Sequence, residues 1–211
     1  MDTRQVVARF EAERQALALM DHPNIAKVLD AGATETGRPF FVMELIKGLP
    51  ITEYCDQSLL TVPERLQLFI TVCQAVQHAH QKGIIHRDIK PSNIIFVNRV
   101  PKFADIGLVT SITPGGRSTT YVGTDGYMPP EGPGTVAADI FSLGKVLYEA
   151  YTGKDRQEFP ALSGTLITSA NEELFGFNEI VLRACHSDVK HRYQMVSEIR
   201  ADLLKLSADA Q

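Results

Sequence analysis

The feature that most constrains this chain is the stretch 136–151, strongly apolar, long enough for a helix and followed by Gly153. Within it Ile140, Leu143, Gly144, Leu147 and Tyr151 recur at helical spacing and form a face that must be buried. The elements available to cover it can be read along the sequence. Residues 4–20 read as a helix, with Val6, Val7, Phe10, Leu17 and Met20 partly at helical spacing. His22-Pro23 ends it, because proline disfavours the α conformation in the residue before it. Residues 25–31 and 39–45 then read as two strands, and the polar, glycine-bearing stretch 32–37 suits a hairpin turn between them. Thr61 with Glu64 makes a capping-box pattern, Pro63 fits a first helical turn, and Leu66, Phe69, Ile70, Cys73 and Val76 follow as an apolar stripe. Gly83 is its natural stop. Short strands at 94–97 and 100–104 flank a turn at Asn98-Arg99, and helices recur at 174–185 and 194–206. The order is a helix, a few strands, then mostly helices, without internal repeat. Between them, 107–134 is rich in Gly, Pro, Ser and Thr with no clear period, the mark of a functional or disordered segment.

Bulk properties exclude several classes. The 211 residues are 44% hydrophobic and 22% charged, ordinary for one or two globular domains. A net charge of −4 gives no argument for nucleic acid or an anionic membrane as partner. No apolar run approaches the ~18 residues of a membrane span. The N-terminus lacks an apolar signal core, so secretion is not expected. Cys55, Cys73 and Cys185 are an odd set with no Cys-x-x-Cys pair, which points to free thiols in a reducing cytoplasm.

The chemistry is concentrated in 86–107. Phosphoryl transfer needs a carboxylate to orient the attacking hydroxyl, oxygen ligands for Mg2+ and a cation near the transferred group. Asp88, Asn93, Asp105 and Lys90 are residues of these types in one short span. Other tempting patterns are weaker. His78-Ala79-His80 puts its imidazoles two positions apart on a helix, where they do not share a face for a metal. The 32–37 stretch has P-loop glycine spacing, but Arg38-Pro39 stands where Lys and Ser/Thr are needed.

His86-Arg87-Asp88-Ile89-Lys90-Pro91-Ser92-Asn93 resembles the catalytic loop of protein kinases, and Asp105-Ile106-Gly107 resembles their Asp-Phe-Gly metal motif. Gly123-Thr124 to Tyr127, then Pro129-Pro130-Glu131, resemble the end of an activation segment. Asp139 to Gly144 resembles the central helix of the large lobe, and Met43-Glu44-Leu45-Ile46 the adenine-binding hinge, with Met43 as gatekeeper. The wording is most similar to bacterial eukaryotic-like Ser/Thr kinases. The resemblance implies an α+β, protein-kinase-like fold. Residues 1–46 would be a residual small lobe and hinge (a helix and two or so strands), and 47–211 a mainly helical large lobe.

By the same resemblance Asp88 is the catalytic base and Lys90 contacts the γ-phosphate, its position favouring a Ser/Thr acceptor on a protein substrate. Asn93 and Asp105 hold Mg2+, and Glu44, Ile46, Lys90, Asn93 and Asp105 bind ATP. Glu13 corresponds to the small-lobe helix glutamate, Arg192 to the partner of Glu131, and His86 to a packing residue. Arg87 either meets a phosphate on the activation segment or pairs with an acidic neighbour. Thr124 and Asp139 are structural or regulatory. Ser111, Thr113, Ser118, Thr119 and Thr120 are candidate phosphosites.

The sequence also departs from the family pattern. The chain begins at the helix bearing Glu13. It contains no Gly-x-Gly-x-x-Gly, and no lysine precedes Lys27. A small lobe so reduced leaves a sheet edge and apolar surface open, which invites a protein partner. Ile106 replaces Phe, Pro130 replaces Ala, and 159–170 is short for a substrate-docking helix. Three readings follow: a truncated Ser/Thr kinase with impaired activity, a non-catalytic kinase-like interaction module, and a small-molecule phosphotransferase.

Overall fold

A computed structural model describes residues 20–36, 39–104, 106, 124–161 and 172–209. The helix expected over 4–20, with Glu13, lies outside these residues except for Met20, which is buried. So do Asp105, the candidate phosphosites, and most of the short 159–170 segment.

The architecture is α+β. β1 (Val28–Ala33) and β2 (Pro39–Met43) form an antiparallel hairpin, in which Ala33 faces Pro39 across the turn. A second antiparallel sheet has the order β3-β4-β5, from Leu49–Pro50, Ile94–Val97 and Val100–Phe103. Asn98 and Arg99 join β4 to β5 with φ of 50° and 67°. Two positive φ values in a two-residue loop are the primed geometry that matches strand twist.

The helices are α1 (Ile51–Gln57), α2 (Val62–Gln81), α3 (Val136–Thr152), α4 (Glu172–Ala184) and α5 (Val196–Asp209). α2 starts where the Thr61–Glu64 pattern requires. The Glu64 carboxylate accepts the Thr61 N–H at 2.8 Å and its hydroxyl at 2.7 Å. Leu66, Phe69, Ile70, Cys73 and Val76 are all buried. α3 is capped by Thr135 Oγ1, which accepts the Ala138 N–H at 3.0 Å. It ends at Gly153, whose φ of 69° suits a residue without Cβ. Every residue from Ala138 to Tyr151 is buried, so α3 is the axis of the core. α4 packs on α3 and on α5, α5 packs on α2, and α2 packs on α3.

The expected strand at 25–31 is displaced. Ile25 makes only an isolated parallel bridge to Phe103, and the regular strand begins at Val28. Ala26 N–H donates to Phe103 O and Phe103 N–H to Asn24 O, both at 2.8 Å, while Asn24 Nδ2 donates to Pro101 O at 2.7 Å. This short stretch joins the hairpin to the β5 edge. No described helix is long and apolar enough to cross a membrane.

Candidate active site

Residues 86–93 lie between α2 and β4, and the first turn of α3 holds them in place. Asp139 is 1% exposed. Its Oδ2 accepts the His86 N–H and His80 Nε2, each at 2.8 Å, and its Oδ1 accepts the Arg87 N–H at 2.9 Å. A carboxylate only accepts, so His80 carries its proton on Nε2. Arg87 has φ of 71°, a conformation that costs a non-glycine residue about 1–3 kcal/mol. The Asp139 carboxylate, hydrogen-bonded on both sides of the His86–Arg87 peptide, keeps it there. His86 is buried edge-on against the Phe103 ring at 5.1 Å.

Beyond this bend Asp88 collects donors. Lys90 Nζ lies 2.7 Å from Asp88 Oδ2, and the Thr124 hydroxyl donates to Oδ1 at 2.9 Å. Lys90 also donates to Thr124 Oγ1 at 2.9 Å, so the threonine hydroxyl bridges carboxylate and ammonium. Asn93 Nδ2 donates to the Asp88 carbonyl at 2.8 Å and to Oδ2 at 3.2 Å. Burial pushes the Asp88 carboxyl up. The hydrogen bonds from Lys90, Thr124 and Asn93, with the Lys90 charge, outweigh that and hold it below the usual aspartate range. Asp88 is therefore a fixed anion at neutral pH.

Because Asn93 gives its NH2 to Asp88, its carbonyl oxygen is turned away from that pair. Such an oxygen is the hard donor that Mg2+ takes. Among the described residues no three His, Cys, Asp or Glu side chains gather as a metal site. Mg2+ needs only one or two protein oxygens when phosphates supply others, a requirement the Asn93 oxygen fits.

The remaining sites are dispersed around this centre. Arg192, with a fully buried side chain, donates through Nη1 to Glu131 Oε1 at 2.6 Å and to Ala137 O at 2.7 Å. Its Nε and Nη2 reach His186 O at 3.1 and 2.8 Å. Glu44 lies between Lys27, whose carbonyl accepts its N–H at 2.8 Å, and Lys102, whose ammonium bonds its carboxylate. The Lys102 hydrogen bond, then that of the Lys27 N–H, holds the Glu44 carboxyl below the usual range. Ile46 follows in irregular, half-buried chain. Sequence reasoning missed His80, which it weighed only as a metal ligand, and Tyr127, whose hydroxyl bonds Glu149.

The chain matches the protein kinase domain over residues 2–208. It belongs to the protein kinase family. Its curated relatives include the serine/threonine-protein kinase PknB of Mycobacterium tuberculosis, 34% identical over 94% of this chain and 36% of that protein. Probable serine/threonine-protein kinases PknB of Corynebacterium glutamicum and Lactococcus lactis are 31% and 30% identical, over 96% and 93% of this chain. The chain spans about a third of the length of these relatives. The expected family and fold class are thus correct. The family as a whole uses ATP and Mg2+.

Proposed function

We propose that this chain transfers the γ-phosphoryl group of ATP to a serine or threonine hydroxyl of a protein. The observation that carries the reading is the cluster of Asp88, Lys90, Thr124 and Asn93, a carboxylate and a cation fixed by one bridging hydroxyl. The acceptor hydroxyl oxygen attacks the γ-phosphorus, the bond to the β-phosphate oxygen breaks, and the hydroxyl proton passes to Asp88. Its low basicity suits a group that chiefly orients the hydroxyl and takes the proton late. Lys90 balances charge on the transferred group. Asn93 and Asp105 are the proposed Mg2+ ligands, and bound Mg2+ neutralises charge on the phosphates. The main chain of Glu44 and Ile46 is the proposed adenine contact. Arg192 with Glu131, and Asp139 with the 86–87 peptide, hold the acceptor and catalytic loops.

We further propose residues 1–46 as the small-lobe part and hinge and 47–211 as the large lobe, working in the cytoplasm, where the buried free thiols of Cys55, Cys73 and Cys185 would stay reduced. The 211 residues contain no Gly-x-Gly-x-x-Gly and no lysine before Lys27. A missing charged contact to the phosphates costs about 3 kcal/mol, roughly a hundredfold in rate, so transfer by these residues alone is proposed to be slow. The deciding experiment compares this chain with Asp88→Asn in a Mg2+-ATP assay on protein acceptors, where a drop of about 10²–10⁴ is expected. Equal, background-level signal from both would sink catalysis by this polypeptide.

A second reading, a non-catalytic interaction module, draws on the exposed apolar side chains Leu29, Phe40, Val42 and Leu45 on and beside the β1–β2 hairpin. They also suit a protein partner covering the small lobe. Labelled phosphate found on a small molecule but on no protein would favour the phosphotransferase reading instead.

A further inference from the structure

Beside Lys90 and Thr124 opens a groove of about 490 Å3, walled by Thr52, Glu53, Glu149 and Arg156. Glu149, on the last turn of α3, lines it, and its carboxylate is already engaged. Its carboxylate accepts the Tyr127 hydroxyl and the Arg156 N–H (3.0 Å), and Arg156 Nη1 stands 3.6 Å away.

Arg156 lies in a short 3-10 turn, Arg156–Glu158, that folds back on α3. Lys145, on α3, donates to the Arg156 carbonyl at 3.2 Å and stands 4.2 Å over the Phe159 ring. Tyr148 Oη donates to the Ala161 carbonyl. With its backbone held in this way, the Arg156 side chain reaches the opposite wall of the groove. Nε donates to the Asp125 carbonyl at 3.0 Å, and the guanidinium lies 4.7 Å over the Tyr127 ring. Nη1 also meets Asp155 Oδ2 at 3.3 Å. A Cβ on Gly126 would come within 2.7 Å of Arg156 Nε, so the Arg156 side chain passes close against Gly126. That segment directly follows Thr124, the hydroxyl that bridges Asp88 and Lys90, and Tyr127 N–H donates back to Thr124 O at 3.1 Å.

We propose that Arg156 is a positioning residue for the acceptor side of the phosphoryl-transfer site: it ties residues 125–127 to the end of α3 and neutralises Glu149 within the groove. The proposal rests on the phosphoryl-transfer reading for its kinetic consequence, but not for its structural one. One planar group performs the contacts together. It stacks on Tyr127, donates along its edge to Asp125, and faces the Glu149 carboxylate. A lysine ammonium on a flexible stem cannot reproduce the stack and the fork at once. Arg156→Lys should therefore fail to restore the loop, although it restores the charge.

The test uses the full chain with Arg156→Gln and Arg156→Lys. Amide hydrogen exchange at 125–128 is expected to quicken about tenfold in both variants, with exchange in α2 unchanged. Unchanged exchange at 125–128 would overturn the proposal. So would equal quickening in α2, which would mean general destabilisation. The second readout is phosphorylation of paired peptides that carry Arg or Glu near the acceptor. In Arg156→Gln the uncovered Glu149 carboxylate is expected to shift the KM ratio about fivefold toward the Arg peptide, with KM for ATP unchanged, and Arg156→Lys is expected to keep the wild-type ratio. An unshifted ratio in Arg156→Gln would overturn the neutralising role. If no form, wild type included, phosphorylates any peptide, the phosphoryl-transfer reading fails, and the exchange measurement alone decides the role of Arg156.

Discussion

Replacing Asp139 by asparagine probes the joint between α3 and the 86–93 loop with the smallest available change of shape. The carboxylate is 1% exposed and receives donors from His86 and His80 on one oxygen and from Arg87 on the other. Asparagine exchanges one acceptor for an NH2 group. If the nitrogen takes the Oδ1 position, it meets the Arg87 N–H head on. If it takes the Oδ2 position, it meets the His86 N–H. His80 can move its proton to Nδ1 and accept, but a main-chain N–H cannot adapt. One buried main-chain donor is thus orphaned, at about 1–3 kcal/mol. The surviving bonds fall from charge-assisted to neutral strength, about 1 kcal/mol more. The sum, about 2–4 kcal/mol, corresponds to a fall in Tm of about 5–15 °C for a chain of this size. Thermal and urea unfolding followed by circular dichroism measure it. His80→Ala and the double variant then test the coupling, and the double cost should fall short of the sum of the singles. A Tm for Asp139→Asn within about 2 °C of wild type, or strict additivity with His80→Ala, would refute the reasoning.

Arg192→Lys keeps the charge but cannot serve Glu131, Ala137 O and His186 O together, so it should lose about 2–4 kcal/mol by urea midpoint. A midpoint equal to wild type would show that the fork is dispensable. The Asp88 carboxyl lies below its unfolded value, so its contribution to stability is present above about pH 4 and lost only as pH falls through the lower folded value. Lys90→Met removes the main opposing partner and should raise the Asp88 titration in carbon-detected NMR. An unmoved midpoint would deny Lys90 that role. Burial pushes the Cys55 thiol up to about 11 and those of Cys73 and Cys185 to about 12. All three should resist a thiol reagent at pH 8 when folded and react in denaturant, and rapid labelling of the folded chain would contradict their burial.

What the sequence made legible was encoded locally. α2 was readable because Thr61, Pro63 and Glu64 mark its start and an uninterrupted stripe fills its buried side. The β4–β5 hairpin was readable because two β-rich runs flank a two-residue turn. β3 was not, since a two-residue strand that includes Pro50 has no period, and its pairing with β4 joins residues more than forty apart. α1, at seven residues, is too short to show a stripe. At the site the resemblance supplied residue types and order, but not geometry. The Thr124 hydroxyl bridges Asp88 and Lys90 across more than thirty residues of sequence. His80 meets Asp139 across fifty-nine, which no local pattern announces.

The stitch between the chain entering β1 and the β5 edge includes two peptide-group bonds, Ala26 to Phe103 and Phe103 to Asn24, beside the side-chain links of Asn24 to Pro101 and Lys102 to Glu44. Its main-chain half is indifferent to which side chains its residues carry. Substitutions at 26 and 103 can alter packing, but only proline, by removing the donor, deletes a bond. That half of the junction can therefore persist through extensive sequence drift while the side chains around it are exchanged. The bend at residues 86–87, held by the Asp139 carboxylate, has no such tolerance.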